Sequence, residues 1–66
     1  MIYAVMFGYK GFEYDWPQFE TDSLTEAFSF IKKYPTRYSA RFPGHVYVFN
    51  TNSGEIVDGT WYEWEK

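Results

Sequence analysis

The sequence predicts an α+β domain: an antiparallel sheet of four to five strands, in the order β-β-α-β-β with a further β segment at the end, and one amphipathic helix packed on one face. Three observations lead there. A capping signature and a 3.6-period apolar stripe occupy the middle of the chain; aromatic and β-branched runs punctuated by glycine lie on either side; and 66 residues suffice for a single domain, 1–66, with one small core.

Met1 to Tyr9 is apolar at both parities and carries no charge, as suits a strand covered on both faces or central in a sheet. Gly8 and Gly11 supply a turn, and Phe12-Glu13-Tyr14-Asp15-Trp16 alternates aromatic with acidic residues, which predicts the return strand. Pro17 has no amide proton to donate, so this second strand is expected at an edge or bulged before Phe19. Ser23-Leu24-Thr25-Glu26 has the form of a capping box. Leu24, Ala27, Phe28 and Ile31 then form one apolar face, widened by Phe30 and Tyr34, with Leu24, Phe28 and Ile31 expected to be buried; Lys32 and Lys33 favour the helix end, and Pro35 is expected to stop it. Thr36 to Gly44 reads as a loop. His45 to Phe49 is a strand, Asn50 to Gly54 a turn with glycine in the left-handed region, and Glu55 to Val57 the return. Asp58-Gly59 either makes a second tight turn before a last strand or interrupts one bulged strand running from Glu55 to Glu65. In the first case Tyr62 and Trp64 face one side, and Trp61, Glu63 and Glu65 the other.

The core must be aromatic, because Trp, Tyr and Phe number 3, 7 and 7 while Leu, Ile and Val are few. With no cysteine there is no disulfide, and a lone histidine without a thiolate cannot complete a tetrahedral zinc site, so neither metal nor cofactor is expected. No apolar run approaches the ~20 residues of a membrane span, and the first residues lack the basic region of a signal peptide; a cytoplasmic location and no membrane partner are expected. The paired carboxylates, Glu13 with Asp15, Glu20 with Asp22 and Glu63 with Glu65, merely share a strand face or precede a helix. The glycines lack phosphate-loop spacing, and no nucleophile motif accompanies His45. An enzyme is not expected.

Charge segregates into two surfaces that suggest binding instead. Lys32, Lys33, Arg37 and Arg41 interleave with Tyr34, Tyr38 and Phe42 and are followed by His45, an alternation suited to holding a phosphate and a base together. A solvated basic loop is its plain alternative. Glu13, Asp15, Glu63 and Glu65 are expected to share the uncovered sheet face with Trp61, forming a docking surface for a basic protein, or simply the water-facing side of the sheet. So many aromatics exceed what one short helix on a small sheet can bury. Exposed aromatic surface marks a contact, a homodimer included.

Phe19-Glu20-Thr21-Asp22-Ser23-Leu24-Thr25-Glu26-Ala27 leading into a short helix, with a C-terminal strand pair around Asn52-Ser53-Gly54-Glu55, resembles small acidic accessory proteins of tailed bacteriophages in length, acidity and element order. That resemblance implies a non-catalytic protein acting on a host factor in the host cytoplasm, by occluding a protein target or sequestering a nucleotide signal. The leading expectation is therefore an inhibitor-type binding protein for a host protein. The alternative is a nucleotide or nucleic-acid binder using residues 32–45.

Overall fold

The structure, a computed structural model, describes residues 2–38 and 43–64, and of residues 34–38 the backbone alone. Five strands, β1 Tyr3–Tyr9, β2 Trp16–Thr21, β3 Gly44–Asn50, β4 Glu55–Ile56 and β5 Tyr62–Trp64, and one helix, α1 Leu24–Tyr38, follow the expected order. The sheet is antiparallel. It runs β2-β1-β3-β4, with β5 also paired to β3. Among the described residues no helix is long and apolar enough to cross a membrane.

β1 and β3 form the centre, pairing Val5 with Val48 and Phe7 with Val46. Because strand side chains alternate, one parity of each faces α1. Val5, Phe7, Val46, Val48 and Trp64 there meet Ala27 and Ile31 of the helix in one buried cluster. Phe7 lies 5.0 to 5.6 Å from the rings of Tyr9, Trp16 and Trp64, so the core is aromatic at this end. At the other end Phe19 stacks on Phe30 at 4.5 Å. Each buried aromatic removes a large apolar area from water, at ~25 cal/mol per Å².

β2 is an edge strand, and its register shifts so that Val5 pairs with Phe19 but Met6 with Pro17. The extra residue, Gln18, is the bulge anticipated beside proline. The predicted strand from Phe12 to Trp16 does not form. A backbone bond from Phe12 N to Tyr9 O closes a turn, Gly11 sits at φ 91°, and pairing begins only at Trp16 opposite Phe7. Alternation alone makes no strand when the residues lack a ladder partner, and Phe12 and Tyr14 are left exposed.

Ser23 caps α1 as expected, its Oγ accepting the Glu26 amide at 3.2 Å. The reciprocal half of the box differs: Thr21 Oγ1 accepts the Ser23 amide and donates to Glu26 Oε1, so the threonine stands between the glutamate and the cap backbone. The buried helix positions are Ala27 and Ile31, with Leu24 and Phe30 packed beside them, whereas Phe28 is only half-buried. The helical stripe is thus rotated toward Phe30, drawn there by its stack on Phe19. Pro35 does not stop the helix, which continues to Tyr38. Proline removes its own amide bond, but its fixed φ is helical, so the following residues can carry on.

Residues 55–64 form two strands on one edge of β3. Gly59, at φ 78°, allows the chain to loop out between them. Thr60 closes the gap: its Oγ1 accepts the Val48 amide at 3.1 Å and donates to Val57 O at 2.6 Å, while Val57 N reaches Val48 O at 2.9 Å. A threonine hydroxyl takes the place of a strand backbone, and Thr60 is 2% exposed.

Candidate functional site

The sheet face turned away from α1 carries the other parity of each strand. β3 presents His45 and Tyr47 there, β1 presents Met6 and Gly8 opposite them, and β5 presents Glu63 opposite His45. The segment joining β1 to β2 brings Asp15 onto this face. Its carboxylate bridges two neighbours: Oδ1 lies 2.8 Å from His45 Nε2, and Oδ2 accepts the Tyr47 hydroxyl at 2.7 Å. Gly8 makes the arrangement possible. A Cβ at this position would collide with Asp15 Oδ1 and come within 2.8 Å of His45 Nε2.

Trp61 roofs the cluster. Its ring stacks on His45 at 4.8 Å and on Tyr47 at 5.0 Å, within 15° of parallel to each, and its Nε1 donates to Glu63 Oε1 at 2.8 Å. One face of the indole is thereby covered while the residue stays 47% exposed; Tyr47 beneath it is 8% exposed. Burial, then the hydrogen bond to Asp15, then that carboxylate's charge, push the Tyr47 phenol up to about 12. Phenol and carboxylate thus stay bonded throughout the physiological range.

Beside this platform, at the end of the sheet, lies a half-open cleft of about 310 Å³. Its walls include Tyr9, Phe12, Pro43 and Trp64, with Lys10, His45 and Glu63 also lining it. Phe12, Tyr14 and Tyr62 are also strongly exposed, at 67%, 76% and 45%. Among the described residues no group of three or more His, Asp or Glu side chains could hold a metal ion. Asp15, His45 and Tyr47, and Trp61 with Glu63, are thus tied to one another by hydrogen bonds, which fixes the orientation of the aromatic surface.

Of the residues singled out from sequence, Asp15, His45, Trp61 and Glu63 come together here. Glu13 is exposed in the adjoining segment and makes no hydrogen bond or ion pair with the cluster. Arg37 and Tyr38 lie in the last turn of α1, where the backbone alone is described, and Arg41, Phe42 and Glu65 lie outside the described residues. The sequence places His45 next to that basic segment, but its Nε2 is engaged by Asp15 on the acidic face. Tyr47 and Gly8 were missed. Tyr47 stands two residues after His45 on one strand, hence on the same face, and Gly8 is the one position without a Cβ in an otherwise apolar strand, two signals available in the sequence. Comparisons with protein-family models, with curated proteins and with solved structures found no match.

Proposed function

We propose that this is a small non-enzymatic binding protein, an inhibitor of the bacteriophage accessory type, that docks a cytoplasmic host protein on its open sheet face and occludes it. The observation that supports this most is Trp61: a half-exposed tryptophan held flat by His45 and Tyr47 and fixed at its edge by Glu63. Tryptophan anchors protein interfaces more often than most residues, and one already immobilised loses little rotamer entropy on binding. Asp15 and Glu63 give the surface a negative field, which speeds encounter with a basic partner. Phe12 and Tyr14, exposed on the segment that carries Asp15, extend the apolar area available for contact.

The test is capture from native-host lysate by the wild type and by two charge-reversed variants. Glu13→Lys combined with Glu63→Lys alters the acidic face at exposed positions, and Lys32→Glu combined with Lys33→Glu alters the exposed end of α1. One host protein retained by the wild type and by the lysine-reversed variant, but lost from the glutamate-reversed one, is the expected result. Equal retention by all three refutes docking on this face. A nucleotide-dependent rise in melting temperature, abolished by the lysine reversal, would instead favour nucleotide sequestration.

A further inference from the structure

We propose that Trp61 and Glu63 form a seat for an arginine side chain of the protein partner, the guanidinium lying on the open face of the indole and bonding the carboxylate at its edge. This rests on the docking reading above and names the chemistry the partner must present. The covered face of Trp61 is filled by His45 and Tyr47, stacked at 4.8 and 5.0 Å, so the exposure of this residue belongs largely to the opposite face. An indole face is the negative pole of the ring quadrupole and attracts cations. Donation from Nε1 to Glu63 adds electron density to the ring and holds its orientation before any ligand arrives.

Glu63 is only half used. Oε1 takes the indole proton, and among the described residues Oε2 accepts no hydrogen bond and no cation pairs with the carboxylate, although Lys10 lines the same cleft. The Asp15 carboxylate lies at the edge of the platform, hydrogen-bonded to the two rings that Trp61 covers. Two carboxylates around one aromatic face repel an anion and give a neutral ring no advantage. Between the cations, guanidinium is planar and weakly hydrated, so it can stack and present N–H groups to Oε2 together; a lysine ammonium is compact and strongly hydrated and cannot do both. The net charge of −3 adds long-range attraction of the same sign.

The proposal is tested by ¹H–¹⁵N NMR of the intact protein, following the Trp61 indole N–H during titration with a Gly-Arg-Gly peptide and its lysine and citrulline counterparts. The arginine peptide should give a saturable shift centred on Trp61, weakened by salt, with lysine binding less well and citrulline least. Glu63→Gln should weaken the arginine peptide about fivefold, as for a partly exposed ion pair, and Trp61→Leu should abolish the arginine-dependent shifts of the surrounding backbone amides. Equal binding of citrulline, insensitivity to Glu63→Gln, or a shift centred on Trp16 or Trp64 overturns the proposal. So does binding of free arginine amide without binding of the peptide, which assigns the seat to a small cation. If arginine fails while host-protein capture still depends on the acidic face, the seat is wrong and the docking surface stands. If arginine binds and capture is indifferent to Glu63→Lys, the docking reading falls and the protein source of the cation falls with it.

Discussion

Replacing Gly8 with alanine tests whether the site depends on an empty position in the central strand. Gly8 lies within β1 opposite His45 and is not among the positive-φ glycines, so the backbone accepts alanine without strain. Taken alone, alanine in a strand is favoured over glycine by about 0.5–1 kcal/mol. The added Cβ, however, meets Asp15 Oδ1 and lies 2.8 Å from His45 Nε2 and 3.0 Å from its Cε1. Asp15 must withdraw, losing its bonds to His45 and Tyr47. Hydrogen bonds to a charged group contribute about 1.5–3 kcal/mol each; with the His45 and Asp15 side chains 21% and 28% exposed, the low end applies, and the pair contributes about 2–3. The balance is a net loss of about 1–2.5 kcal/mol, or a melting temperature lower by roughly 4–20 °C for a domain of this size. Urea denaturation measures the loss. Ultraviolet titration supplies a second signature, since without its carboxylate neighbour the Tyr47 phenol should ionise at lower pH than in the wild type. A Gly8→Ala variant as stable as the wild type, with an unchanged tyrosine titration, would refute the reasoning.

Thr60→Val keeps shape but leaves the Val48 amide without its acceptor in a buried place, and should cost about 1–3 kcal/mol in urea denaturation, whereas Thr60→Ser retains the hydroxyl and should cost less. Alkaline pH should destabilise the fold through Tyr47. Its phenol holds the proton to about 12 when folded against 10 for the free side chain, so its contribution is complete below pH 10 and lost between pH 10 and 12; Asp15→Asn should shrink the loss measured by thermal melts across that window. Ser23→Ala removes the acceptor of the Glu26 amide and should cost about 0.5–2 kcal/mol, read from the urea midpoint.

Much of the fold was legible because its signals are local. The cap at Ser23, the stripe through Ala27 and Ile31, and the left-handed glycines at 54 and 59 each need only a few neighbouring residues to be recognised. The errors arose where a distant contact outweighed a local pattern. Phe12 to Trp16 alternates as well as any strand in the chain, yet Asp15 is engaged by His45 and Tyr47, thirty and thirty-two residues away, and the ladder starts after it. Phe28 sits at ideal spacing, but Phe30 has an aromatic partner across the layer and Phe28 does not enter the cluster. Pro35 carries a strong local stop signal, since it removes one amide donor and crowds the carbonyl one turn back, yet its φ is helical and the helix outlasts it.

The site was legible by face and illegible by contact. Placing Glu63 and Trp61 on the uncovered side needed only the two-residue period of strands and the choice of which parity was apolar, and His45 follows from the same rule once β3 is recognised, whereas Asp15 reaches that face from the segment between β1 and β2, where no strand forms. What no periodicity can supply is that the carboxylate inserts between a histidine and a tyrosine and that an indole then lies flat over both. These are tertiary choices among side chains far apart in the chain, decided by space as much as by charge. The space leaves one trace in the sequence: a glycine facing a histidine across two central strands, where the missing Cβ makes room for a carboxylate arriving from another part of the chain.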